Sequence, residues 1–230
     1  MRTKTISLLS MLAIALAGCA STPEFQSGPD AEVSYDGLTK LDKTIMDAVW
    51  AREDIDLSSY TKIMFEGVGI EYRDVNGPYS GRAGTTSTRS SSASEFQLDD
   101  ATKALFEEEI KSAFAEEVGK SDKYEVVENP GRDVLLVRGG LLDVVSRVPP
   151  ETMGRGAIFI DSVGEATLVL ELRDSMSNAI YARAVDRRAA QRMGQMMESN
   201  RVTNRSEVRR LGRRWGELLR TGLEGLLSAN

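Results

Sequence analysis

Cys19 is the one cysteine of a 230-residue chain that has no histidine, and those two facts bound the chemistry open to it. Without histidine there is no Ser-His-Asp or Cys-His couple and no histidine-liganded zinc site. Carboxylates, Ser, Thr, Tyr, Lys and Arg remain. Cys19 itself follows Leu16-Ala17-Gly18, at the end of a mostly apolar run from Ile6 to Leu16 that Arg2 and Lys4 precede. That run is too short to span a bilayer stably and has the three-part layout of an export signal. Leu-Ala-Gly-Cys is the bacterial lipobox pattern, in which small side chains permit the cut and the thiol accepts the acyl group. Residues 1–18 are therefore expected to be a lipoprotein signal peptide and Cys19 the lipidated first residue of the mature chain, a target for palmitate. An ordinary cleaved signal and a dimer-forming disulfide are the alternatives. Ala20, where aspartate would favour retention at the inner membrane, points to a lipid-anchored protein of the cell outer membrane facing the periplasm. Acyl chains contribute about 0.8 kcal/mol per buried methylene, so a multiply acylated cysteine anchors without a transmembrane helix.

Two other patterns could carry reactions. Ser59-Tyr60-Thr61-Lys62 matches the S-x-x-K of penicillin-binding hydrolases, but that chemistry needs the serine at a helix start together with S-D-N and K-T-G partners, which the chain lacks. The residues are read as the start of a strand. Asp143, Glu165, Glu171 and Asp174 could pair for glycoside cleavage, since two carboxyls a few ångströms apart suffice. Alternating charge on the wet face of a sheet explains the same residues more simply.

The strongest asymmetry is electrostatic. From Glu95 to Gly131 there are eleven acidic and four basic residues, whereas Arg183 to Arg220 holds eleven arginines and four acids. Every basic residue after Lys123 is arginine, the side chain suited to bidentate carboxylate or phosphate contacts. Arg205, Arg209 and Arg213 are thus candidate anion-binding residues for lipid headgroups, lipopolysaccharide or an acidic protein. The competing reading makes them a solvated helix face or the internal partners of the acidic segment. Removing Arg2 and Lys4 with the signal leaves 27 basic against 35 acidic residues, which argues against nucleic acid as a partner. Nothing in the residue pattern calls for a metal or cofactor.

These residues must be held by elements that the periodicity predicts. Residues 19–35 are small, polar and proline-containing, a flexible tether reaching at most about 50 Å. Residues 36–230 form a single domain. Its lead-in, LTKLDKTIMDAVW, reads as either a short helix or the approach to a strand. Thr61 to Tyr72 is the first strand. Ser80 to Glu95 has nine Ser or Thr in sixteen positions and no large apolar side chain, so it reads as a disordered loop. Asp99 to Gly119 is a helix with Phe106, Ile110, Ala113, Phe114 and Val118 on one face and Glu107, Glu108, Glu109, Glu116 and Glu117 on the other. Lys123 to Glu128 and Asp133 to Val148 are strands, and Glu165 to Ala189 is a hairpin whose first arm alternates by period two. The last helix, Arg205 to Leu227, begins at an Asn204/Glu207 capping box and carries Val208, Leu211, Trp215, Leu218, Gly222 and Leu226 as its apolar stripe. Gly212 and Gly216 are read as allowing close packing of that helix on the sheet. The expected fold is α+β: a mostly antiparallel sheet of about five strands with two main helices packed on it, in the order β-α-β-β-β-β-α.

Several stretches together resemble one family. Tyr60 to Lys62, YEVVENPGRDVLLVRGGLLDV, GEATLVLELRDSMSNAIYARAVDRRA and EVRRLGRRWGELLRTGL are similar, in that order, to the bacterial lipoproteins grouped as domain of unknown function 3313. Ser177-Asn178 stands where the family has Thr-Gly. The resemblance implies a lipobox-anchored, periplasm-facing α+β domain and brings no catalytic residues with it. The functional expectation is a non-catalytic accessory or interaction module of the envelope, its partner an envelope protein or the membrane that holds its anchor. The alternatives are a periplasmic domain that binds anionic lipid or polysaccharide through its arginines and, behind it, an envelope hydrolase.

Overall fold

The computed structural model describes residues 23–75, 95–149, 157–191 and 196–228, with side chains to residue 225. The segment expected to be an export signal, Cys19 and nearly all of the Ser/Thr-rich loop lie outside those residues. The chain runs β1 (Glu24–Phe25), β2 (Thr39–Asp42), β3 (Ala48–Ala51), β4 (Lys62–Tyr72), α1 (Asp100–Val118), β5 (Glu125–Val126), β6 (Val134–Ser146), β7 (Phe159–Ile160), β8 (Gly164–Asp174), β9 (Ile180–Ala190), β10 (Met197–Glu198) and α2 (Arg201–Ser228).

The fold is α+β, but the main sheet has eight strands where about five were expected, in the order β1-β2-β3-β9-β8-β6-β4-β5, and β7 pairs with β10 apart from it. The sheet is mixed: β4 runs parallel to β5 and β6, and the other pairs are antiparallel. A parallel neighbour needs a crossover, and α1 supplies it between β4 and β6. The strands missed are two to four residues long, too short for a period-two signal to emerge. The ambiguous lead-in is the β2–β3 hairpin. Pro23 to Tyr35, expected as free tether, also belongs to the fold: Glu24 and Phe25 pair with Asp42 and Leu41, and the Gln26 carboxamide ties Glu32 and Asp42. Backbone pairing at a sheet edge orders this polar segment without burial.

Both helices cover one face of the sheet. That face presents Ala166, Leu168, Leu170 and Leu172 from β8 and Leu135, Val137 and Leu141 from β6, all buried. α1 keeps its expected caps, Asp99 accepting from the Thr102 amide at 2.7 Å. α2 starts a turn earlier than expected. Asn200 caps it by accepting from the Thr203 amide at 2.9 Å, while Asn204 lies inside the first turn and bonds Ser199. The small residues of α2 also serve a different neighbour from the one expected. A Cβ at Gly212 would meet Ala113 Cβ at 3.0 Å, and one at Gly216 would meet Glu117 Cβ at 2.8 Å and Phe114 O at 2.9 Å. Their spacing therefore lets α2 close on α1, with the sheet beneath both.

Trp215 is the hub of the interface with the sheet. It is 1 % exposed, and its indole Nε1 donates to Asp186 on β9 at 2.8 Å. Truncating it to alanine is expected to cost about 3–5 kcal/mol, read as a fall in the urea midpoint at unchanged slope. The glycines make a sharper pair of expectations. Alanine at a solvent-exposed helical glycine stabilises by about 1 kcal/mol, so Gly222→Ala, with open space around it, should raise the midpoint. Gly216→Ala should lower it, because overpacking costs about 1–3 kcal/mol and outweighs the propensity gain.

Candidate functional site

The three candidate arginines sit four residues apart on α2 and meet two glutamates seven apart on α1. Arg205 Nε donates to Glu109 Oε1 at 2.6 Å. Arg209 bridges Glu109 at 3.5 Å and Glu116 at 2.9 Å. Arg213 Nη2 reaches Glu116 at 3.2 Å. The glycine contacts bring the helices close enough for this ladder to form. Glu109, on the face of α1 opposite its apolar stripe, has only 6 % of its side chain exposed, and a carboxylate taken out of water must be paired. Hydrogen bonds from Arg209 and then Arg213 hold Glu116 below the usual carboxylate range. The bond to Glu109 raises Arg205 above the ordinary guanidinium value. On their outer side the three guanidinia, with Arg201, Val202 and Ser206, line a shallow, open depression.

The sheet face away from the helices carries two further networks that sequence reasoning did not assemble. In the first, Arg73 grips Asp143 bidentately at 2.6 and 2.5 Å and also reaches Glu95. Arg187 joins Asp143 at 2.8 Å to Glu165 at 2.7 Å, and Arg147 lies 3.5 Å from Glu165. Asp143 occupies the left-handed region at φ 54°, inside the irregularity where β6 slips against β8 between Leu142 and Val145. The bulge re-aims its carboxylate at the two arginines. The bond from Arg73 lowers Asp143 to about 2, with Arg187 adding to it against the effect of burial.

In the second network Arg183 joins Asp36 at 2.5 Å to Glu171 at 3.0 Å, and Arg173 holds the other Glu171 oxygen at 2.9 Å. The Tyr35 ring centroid lies 5.3 Å from the Arg183 guanidinium. Burial alone would raise Glu171 and Asp36, but their hydrogen-bonding partners, Arg173 and Arg183 for the first and Ser34 and Arg183 for the second, leave both lowered.

Neither enzyme-like pattern is assembled as a whole. Tyr60 donates to Asp174 at 2.6 Å and lies 2.8 Å from the Tyr181 hydroxyl, tying the start of β4 to the β8–β9 turn. The Tyr60 bond, with those from Ser177, lowers Asp174 to about 2. Burial, reinforced by Asp174, pushes the Tyr60 phenol well above its ordinary value. Ser59 is exposed. Lys62 is bound to Asp133 at 2.9 Å, and that bond raises it, the opposite of what a lysine base needs. Of the four carboxylates, Asp143 and Glu165 share a network, while Glu171 and Asp174 belong to two others. Among the described residues no group of three or more Asp, Glu, Cys or His is placed to hold a metal ion, and no helix is long and apolar enough to cross a membrane.

What the sequence offered toward these sites was partial. Pairing of the α2 arginines with the acidic segment was present in the sequence only as a competing reading, without the identity of the glutamates they meet. Arg73 and Asp36 carried no such signal, because their partners lie 70 and 147 positions away.

A family model with the description Protein of unknown function (DUF3313) matches residues 30–219. No curated protein matches the chain. Among solved structures, the chain is similar to a PelC dodecamer from Paraburkholderia phytofirmans, at 11 % identity over 75 % of this chain and 96 % of that one, with a TM-score of 0.36. It is also similar to a Xanthomonas campestris protein of family DUF330, at 12 % identity over 74 % and 86 %, TM-score 0.36. A hypothetical protein from Chlamydia trachomatis matches at 13 % identity over 74 % and 99 %, TM-score 0.35.

One pH dependence follows from the first open-face network. The pKa of Asp143 is lowered on folding, so its ion pairs stabilise the fold above the ordinary aspartate value near 3.9. That contribution is lost as pH falls towards about 2. Asp143→Asn keeps a side chain that tolerates positive φ. Its urea midpoint should be lower than the parent's at neutral pH, with the gap closing between about pH 4 and pH 2; a gap constant with pH would contradict the pairing.

Proposed function

We propose, for a chain that belongs to the DUF3313 family of proteins of unknown function, that it acts as a non-catalytic interaction module of the bacterial envelope, lipid-anchored at the periplasmic face of the outer membrane. The observation that carries the non-catalytic half is the state of its ionisable groups. Asp143, Glu171 and Glu116 are lowered inside arginine–carboxylate networks, and Asp174 is lowered by its hydrogen bonds from Tyr60 and Ser177. Hydrolysis by paired carboxyls needs one of them held protonated near neutral pH; Asp143, Glu171 and Asp174 are driven the other way, and Glu165 is held by Arg187 at 2.7 Å. Such networks order a surface and give it a fixed pattern of charge for a partner to match. The anchored half rests on Leu16-Ala17-Gly18-Cys19 and the charged, apolar segment before it.

A second reading has its own support. Arg201, Val202, Arg205, Ser206, Arg209 and Arg213 line an open depression in which an anionic headgroup or polysaccharide phosphate would meet several guanidinia at once. It competes with Glu109 and Glu116 for the same donors, so binding by this route should weaken as salt rises.

The first test is at Cys19. Cys19→Ala should leave an unprocessed or soluble protein that takes up no palmitate; labelling unchanged from the parent would sink the lipoprotein assignment. Recovery from crosslinked envelopes then separates the two readings. A reproducible protein partner supports the interaction module, and retention only on anionic lipid supports the arginine site.

A further inference from the structure

We infer that the domain stands end-on against the bilayer, with one identifiable end of its sheet in the lipid interface. The inference rests on the acylation of Cys19 proposed above. It starts from the folded N-terminal segment. Because β1 begins at Glu24, only residues 20–23 separate the anchor from the sheet. Whatever their conformation, they span at most roughly 17 Å between Cys19 and Glu24. A free tether to residue 35 would have let the domain float well off the surface; this link holds it on the surface.

The strand directions decide which end is held. β1 is antiparallel to β2, with Glu24 opposite Asp42, so the chain enters beside the tip of the β2–β3 hairpin. There Lys43 pairs with Glu24 at 2.8 Å. The same tip is tied to the late part of β9, where the Arg187 amide donates to Asp47 at 2.7 Å and Arg188 lies 3.5 Å from the Ile45 carbonyl. The C-terminal ends of β4, β6 and β9 therefore share this end with the start of β8. α2 begins here too, since it follows β9 by way of β10.

This end carries apolar side chains that the fold leaves in solvent: Ile45 at 72 % exposure and Val202 at 79 %, with Phe159 and Met196 on the β7–β10 segment. Arg201 and Arg205 flank Val202 on α2 and Lys43 lies two residues before Ile45, a pairing of basic and apolar groups suited to the headgroup boundary. The opposite end also exposes Met176 and Val126, so exposure alone does not choose between the ends. The position of the anchor does. An eleven-residue strand such as β4 extends about 36 Å, which keeps Met176, on the β8–β9 turn, well clear of the surface that Ile45 touches. The occupant of this patch is thus the membrane that holds the acyl chains.

The test uses the full-length acylated protein in vesicles of phosphatidylethanolamine and phosphatidylglycerol that contain brominated lipid. Acylation blocks Cys19, so Ile45→Cys, Val202→Cys and Met176→Cys each offer one free thiol for an environment-sensitive fluorophore. Quenching at positions 45 and 202 should exceed that at 176 by roughly twofold or more, with a blue-shifted emission. Quenching at 176 equal to or above that at 45 and 202, in protein that is acylated and vesicle-bound, overturns the orientation and leaves the anchor standing. Protein that takes up no palmitate and stays out of the vesicles overturns both.

Discussion

The hydrogen bond from Trp215 to Asp186 is the constraint on which the rest of the molecule depends. Asp186 is fully buried on β9, and a buried carboxylate without donors is too costly to keep. The indole supplies one donor and Arg188 supplies more. The bond is therefore obligatory as well as favourable, and it fixes where α2 lies and how it is rotated about its axis. With Trp215 turned down into the sheet, Gly212 and Gly216 must face sideways into α1. That contact in turn sets the separation at which Arg205, Arg209 and Arg213 find Glu109 and Glu116. One buried polar contact thus propagates into helix rotation, helix spacing and surface charge.

The networks on the other face of the sheet follow a different logic. There the strands present Glu165, Glu171, Arg173, Arg183 and Arg187 in neighbouring rows, where opposite charges across strands stabilise and like charges repel. Each such pair is partly wet and worth little alone. Their joint effect is to set the pattern of charge on the face away from α1 and α2. The bulge at Asp143 and the N-terminal residues around Asp36 complete the two networks from outside the regular rows, so both depend on irregular backbone as much as on the sheet.

Legibility in the sequence divided along the same physical line. The long elements were readable because a stripe or an alternation repeated enough times: β4, α1, β6 and the β8–β9 hairpin lie where the pattern placed them, and α2 differs only in starting a turn earlier. The two-residue strands β1, β7 and β10 show no period, and the parallel neighbour of β4 depends on how α1 crosses over. The burial of Glu109 was hidden for a related reason. Its position on the α1 wheel is polar, and only the approach of α2 buries it. Asn204 looked like a cap because Glu207 follows at the right spacing, but Asn200 offers the same carboxamide one turn earlier and Ser199 takes up Asn204.

Local chemistry in the sequence by itself carried the lipobox-like pattern ending at Cys19, the absence of histidine, the family resemblance and the amphipathic faces of both helices. Each is a property of residues near one another in the chain. Tertiary structure alone decided that the N-terminal segment joins the sheet, that the arginines of α2 meet the glutamates of α1, and that Arg73 and Asp36 complete networks with residues 70 and 147 positions away. Those outcomes follow from strand order and from the close approach that two glycines permit. No short-range pattern carries that information.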